Sequence, residues 1–243
     1  MARGGVVLVE RCPTGIPGFD AISKGGFVRN SVNVVLGGPG AGKSTFLLQF
    51  LWNGVNMFDE PGVYVSFEPD IENIFLDALT FGWDFKDLDR SGKCKFVKFS
   101  PKTSIRDIKE ELTALVAKHG IKRIALDPIS VLTMSLGADK DIRGTIYELT
   151  SLLKRLNVTT LLADETVDGG TEEFSLGEEE TRTQFMKFLS DGLINFYSSG
   201  LGGSSDRAVR ITKMRRTNHL RGPIPFEITN SGIEVSAPSQ RKK

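Results

Sequence analysis

Apolar positions along this chain follow two rhythms. Val32–Leu36, Gly62–Glu68, Lys95–Phe99, Arg123–Asp127 and Val158–Asp164 are short apolar or alternating runs and predict strands. Between them the spacing turns helical. Phe46–Leu51 suits a buried helix, and Asp70–Phe81 carries Ile71, Ile74, Phe75 and Leu79 on one face. Ile105–His119 carries a stripe of Ile105, Ile108, Leu112, Leu115 and Val116, with Ser104 as N-cap and Gly120 closing it. Asp141–Leu156 predicts one more helix. Strands alternating with amphipathic helices imply an α/β fold with a mostly parallel sheet covered by helices on both faces.

The ends of the chain read differently. Thr14–Phe27 predicts two glycine-bounded turns around a short helical segment, with Phe19 and Ile22 as its apolar contacts. Gly192–Ser198 and Ala208–Lys213, joined by a turn at Gly200–Ser205, alternate like strands. Pro225–Thr229 and Gly232–Ser236 form a hairpin around Asn230-Ser231. These late strands are expected to extend the sheet in antiparallel fashion.

Composition adds a few bounds. The 243 residues, 40% hydrophobic and 25% charged, suit a single domain over residues 1–238 with a basic tail at 239–243. A net charge of +1 offers no global polyelectrolyte argument for nucleic acid. Cys12, Cys94, His119 and His219 are too scattered for a zinc site, which leaves the cysteines as buried thiols. The patch Val6–Val9 is too short for a signal segment and no apolar run approaches membrane-spanning length, so a cytoplasmic protein is expected.

Local charge is more informative. Asp164–Glu180 holds eight acidic residues and no Lys or Arg, with Gly169, Gly170 and Gly177, and predicts a flexible, solvated loop. Arg207, Arg210, Lys213, Arg215, Arg216 and Arg221 form the opposite cluster, with His219 inside it. It reads either as a solvated basic strand and turn or as a phosphate-contacting edge.

The chemistry concentrates at Gly37-Gly38-Pro39-Gly40-Ala41-Gly42-Lys43-Ser44-Thr45, a G-x-x-x-x-G-K-S phosphate loop between a predicted strand and a predicted helix. Its glycines let backbone N–H groups turn inward around an anion, and the helix N-terminus adds its dipole. Gly38 through Thr45 are therefore the nucleotide-binding residues, with Lys43 reaching the β- and γ-phosphates and Ser44 ligating Mg²⁺. Asp127 ends an apolar strand with a basic residue ahead of it, the Walker B pattern, and is the second Mg²⁺ residue. Glu68 ends the strand before it. It reads either as the base that polarises an attacking water or as a strand-end charge capping the next helix.

Taken in order, T-G-I-P-G-F-D…G-G, the phosphate loop, V-Y-V-S-F-E, F-G-W-D, I-A-L-D and K-M-R-R-T-N-H…P-F-E-I-T-N-S-G-I resemble the KaiC-like branch of the RecA superfamily from Thr14 to Val235. The resemblance implies a RecA-like ATPase core that binds ATP and Mg²⁺ between subunits of a homo-oligomer, usually a hexameric ring. It implies that Glu68 is catalytic, and that Lys213, Arg215 and His219 reach the neighbouring subunit's nucleotide. Three departures from the family pattern stand out. Where two adjacent glutamates are common, Pro69 follows Glu68, which implies slow hydrolysis. Where clock-type members carry a phosphorylated Ser-Thr pair, this chain has Lys187 and Phe188, with Thr181, Thr183 and Ser190 as nearby hydroxyls. Arg216 stands where glycine is frequent.

Two functions compete at this point. One is a regulatory or signalling ATPase with a protein partner that the sequence does not identify. The other is a DNA-binding recombinase paralogue, disfavoured because the later candidate DNA loop is acidic and the earlier one, Ser135–Arg143, sets Lys140 and Arg143 against Asp139 and Asp141. A GTPase lacks its guanine-reading N-K-x-D motif.

Overall fold

The computed structural model describes residues 9–131, 139–165, 178–198 and 206–237. It opens with strand β1 (Arg11–Cys12), helix α1 (Phe19–Ser23) and strand β2 (Phe27–Val28), β1 and β2 pairing antiparallel. The core runs β3 (Val32–Gly37), α2 (Lys43–Phe58), β4 (Gly62–Ser66), α3 (Ile71–Leu79), α4 (Phe85–Ser91), β5 (Cys94–Lys98), α5 (Ile105–His119), β6 (Arg123–Asp127), α6 (Asp139–Arg155) and β7 (Thr159–Glu165). Helix α7 (Glu178–Leu189) and strands β8 (Gly192–Ser198), β9 (Arg207–Met214), β10 (Ile224–Thr229) and β11 (Gly232–Val235) complete it.

One nine-stranded sheet runs β11-β10-β9-β8-β3-β7-β6-β4-β5. The strands from β8 to β5 are parallel and β9–β11 are antiparallel. The expected architecture holds with one correction: β8 pairs parallel with β3, so only the last three strands extend the sheet in antiparallel fashion. The reason is α7, absent from the sequence reading, which crosses a face of the sheet and returns the chain in the parallel sense. The two ends of the acidic stretch read as a loop belong to β7 and α7, and residues 166–177 lie outside the described ones, as do Gly200–Ser205 and the tail. Residues 139–143 of the second predicted loop are the start of α6.

Alternation along the parallel strands sorts the core into two layers. Val35, Tyr64, Ala125, Leu161 and Ala163 face α1, α2 and the C-terminal strands. Val34, Val63, Val65, Ile124, Leu126 and Leu162 face α5, α6 and α7. Ile105–His119 is helical with its stated bounds, and Ser104 accepts from the Asp107 N–H at 3.1 Å. In α3 the buried positions are Ile74 and Ala78, whereas Leu79 is exposed, because the helix stops there and Trp83 folds back into the core behind it.

The N-terminal motif is a clasp. The Asp20 carboxylate accepts from the Thr14 N–H at 2.9 Å, the Thr14 hydroxyl at 2.7 Å and the Gly15 N–H at 3.0 Å. Gly18, at φ 75°, lies so close to β11 that a Cβ would sit 1.9 Å from the Val235 carbonyl oxygen. The Val235 N–H donates to Pro17 O at 2.9 Å. Phe46, two residues beyond Ser44, packs edge-on to Phe19 and Phe196 with centroids 4.9 and 5.1 Å away. This aromatic wedge fixes the helix behind the phosphate loop against the clasp.

Candidate functional site

The phosphate loop joins β3 to α2 at the C-terminal edge of the parallel strands, the edge where open α/β sheets bind ligands. Gly37 touches its surroundings: a Cβ there would lie 2.7 Å from Phe196 O. A Cβ on Gly38 or Gly40 would meet nothing within 4 Å, so the loop curves around open space. Gly42, at φ 101°, is the N-cap residue of α2 and offers no side chain, so the first-turn N–H groups have no side-chain cap. An anion in the cradle meets those groups and the positive end of a 16-residue helix.

Lys43 is only 7% exposed, and its Nζ donates to Gly37 O at 2.8 Å and Gly38 O at 2.9 Å. Burial holds its pKa below the usual lysine range, against the opposing pull of Glu165, Asp127 and Asp164. The ammonium thus rests on its own loop, next to carboxylates that favour its charged form.

Asp127 ends β6 and is 6% exposed. The Tyr64 phenol donates to its Oδ2 at 2.5 Å. Burial first, then Asp127, pushes the Tyr64 pKa well above its ordinary value, so the phenol is a protonated donor. Ser44 is exposed on the first turn of α2. A hydroxyl and a carboxylate beside a phosphate cradle are the hard oxygen donors that Mg²⁺ takes, so the residues present fit both a nucleotide triphosphate and its metal.

Glu68 lies two residues beyond the end of β4 and is exposed. Ser66 is paired with Asp127, so Glu68 leaves the sheet at the same edge as the metal-site candidates. Asp164 and Glu165, absent from the sequence-based candidates, close the site from β7; Asp164 is fully buried. Their signal was their place at the end of an apolar strand, the argument that singled out Asp127. Tyr64 left a fainter one, a hydroxyl in the middle of an apolar run.

Arg123, the basic residue ahead of the Walker B strand, sits at the opposite end of β6 from Asp127. It is wholly buried, bonded to Glu60 at 2.6 Å, to Phe50 O at 2.9 Å and to Pro13 O at 2.8 Å. Arg29 holds the same carboxylate at 2.6 Å. The arginine fastens the N-terminal edge of the sheet and takes no part in the phosphate site.

The structure does not bring Lys213, Arg215 and His219 to this edge. Lys213 pairs with Leu193, near the start of β8, whereas Gly37 pairs with Phe196. Lys213 Nζ donates to Lys187 O at 2.8 Å and Ser190 O at 2.7 Å, at the end of α7. Burial, then Arg215, lowers its pKa. Arg215 lies 3.8 Å from Asp191 and reaches Phe188 O at 3.5 Å, with its side chain about half exposed. His219 Nδ1 is 3.0 Å from Leu220 O. Arg216 has φ 59°, which accounts for glycine being frequent at that place. Arg11 steadies this turn, donating to the Thr217 hydroxyl at 2.7 Å and to Arg216 O at 3.3 Å. Of the hydroxyls near the clock-type position, Ser190 is buried, and the side chains of Thr181 and Thr183 lie outside the described residues.

A family model described as "ATPase: KaiC" matches residues 12–240. The chain is 35% identical over 236 residues to the circadian clock oscillator protein KaiC of Nostoc sp., covering 93% of this chain and 44% of that protein. Against the protein of the same name from Acaryochloris marina it is 35% identical over 238 residues, covering 94% and 44%. The Thermosynechococcus vestitus protein of that name is 33% identical over 236 residues, covering 93% and 44%. The chain therefore spans less than half the length of these curated relatives. No helix among the described residues is long and apolar enough to cross a membrane. With a phosphate loop and a Walker B aspartate on one edge of a RecA-like sheet, and a family match over nearly its whole length, this chain belongs to the KaiC family of ATPases.

Proposed function

We propose that residues 12–240 act as one ATP-hydrolysing unit whose nucleotide lies between two copies of the chain. The observation that carries this reading is topological: the phosphate loop and the Lys213–His219 turn occupy opposite ends of one sheet. Two copies stacked head to tail bring one end against the other, and repetition closes a ring when the rotation allows it.

In that arrangement the N–H groups of Gly38 through Thr45 hold the phosphates, and Lys43 exchanges its two loop carbonyls for phosphate oxygens. Ser44 and Asp127 hold Mg²⁺, which when bound neutralises charge on the β- and γ-phosphates. Glu68 orients a water for attack. Arg215 from the neighbouring copy stabilises the charge that develops, an effect of about 10³–10⁵ in rate for arginines of this kind. Lys213 follows only by giving up two carbonyl bonds, and His219 flanks the turn. Pro69 leaves Glu68 without an adjacent carboxylate, which supports slow turnover and a regulatory output through the assembly.

Light scattering after size-exclusion chromatography, with and without Mg·ATP, tests this together with phosphate release. Wild type is expected to assemble with Mg·ATP and hydrolyse it slowly, and Arg215→Ala to bind ATP and lose hydrolysis. A protein that stays monomeric, and whose Arg215→Ala variant turns over ATP as fast as wild type, would sink the reading.

A further inference from the structure

We infer that Tyr64 is a positioning residue of the magnesium site: its phenol holds the Asp127 carboxylate and sets how strongly a divalent cation tightens nucleotide binding. The inference rests on the nucleotide reading of the phosphate loop and adds a residue to it. Tyr64 lies in β4, is 1% exposed, and its ring stacks on Phe96 at 5.4 Å. A phenylalanine fills that slot equally well, so packing does not require the hydroxyl. The hydroxyl nevertheless has a partner on another element, donating to Asp127 Oδ2 at the end of β6 at 2.5 Å.

The chemistry follows from donor counting. An ionised carboxylate offers about four lone-pair sites on its two oxygens. The phenol O–H occupies one of them, on Asp127 Oδ2. The carboxylate is thereby oriented before a metal arrives, and it keeps lone pairs for the cation's water shell. Partners of this kind typically change metal affinity by about 10–100-fold when removed.

The test measures binding of a fluorescent ADP analogue, in EDTA and across a Mg²⁺ titration, to wild type and Tyr64→Phe. The variant is expected to bind within about twofold of wild type in EDTA and to need about tenfold or more Mg²⁺ for the same tightening. Equal Mg²⁺ requirements overturn the inference. Failure of wild type to bind the analogue under any condition overturns the phosphate-loop reading instead. A second measurement needs no change at Tyr64. The chain has three tyrosines, so Tyr147→Phe/Tyr197→Phe leaves Tyr64 alone. Adding Mg²⁺ to this ADP-bound protein is expected to shift the tyrosine absorbance, and an unchanged spectrum overturns the inference.

Discussion

Mixing two inactive variants restores hydrolysis if the site is shared between copies. Lys213 is level with Val34 through Leu193, three residues below Gly37 along the strand and two strands away. At about 3.3 Å per residue and 4.8 Å per strand, its Cα lies roughly 14 Å from Gly37. Arg215 hangs from Asp191, itself bonded to Val32, which puts it roughly 19 Å away by the same count. An arginine side chain spans only about 7 Å. Arg215 therefore cannot serve its own phosphate loop. Take Arg215→Ala, with an intact loop, and Glu68→Gln, with an intact Arg215. In a 1:1 mixture that exchanges subunits freely, half the loops are competent and half of their neighbours supply the arginine. Phosphate release should recover to about a quarter of wild type, whatever the ring size. A mixture no more active than its separate components refutes the shared site. If Glu68→Gln alone matches wild type, Glu68 is not the base, and Lys43→Ala replaces it in the mixture.

Three further outcomes test the scaffold. Arg216→Gly relieves a left-handed residue at φ 59° and a repulsion with Arg11, and should raise stability by about 0.5–1 kcal/mol, a Tm gain of about 2 °C; a lower Tm refutes the strain. Glu60→Gln leaves buried Arg123 without its counter-charge and should lose about 3 kcal/mol or more in urea unfolding at neutral pH. Burial alone would raise the Glu60 pKa, but Arg123 and Arg29 outweigh it and hold it below the usual range. Its stabilisation is therefore complete above about pH 4.3 and fades as pH falls through the lower folded value, so the gap between wild type and variant should narrow in acid; a constant gap refutes the ion pair. Gly18→Ala drives a Cβ into Val235 O, 1.9 Å away, and should lose at least about 2 kcal/mol by denaturant titration; wild-type stability would show that the clasp yields.

Much of this protein is written locally. The helix Ile105–His119 and the strand Arg123–Asp127 stand where the pattern put them, because each has its cap, its stripe or its alternation within its own residues. The phosphate loop is legible for the same reason: its chemistry lies in nine consecutive positions and depends mainly on their own backbone freedom. Other features had no local signal strong enough. The parallel sense of β8 depends on the crossover made by α7, whose start lies in the acidic run that reads as loop. Tyr64 looks like one more strand residue until the pairing of β4 with β6 brings Asp127 to its hydroxyl. Arg123 looks like part of a phosphate motif until the strand's direction carries it to the far edge and Glu60 claims it. Likewise the basic turn reads as a surface cluster until the sheet separates it from its own phosphate loop. The sequence determines what each segment can do alone, since propensity, capping and backbone freedom act over a few residues. The tertiary structure decides which side chains share one space, since burial, counter-charge and strand register arise between segments far apart in the chain.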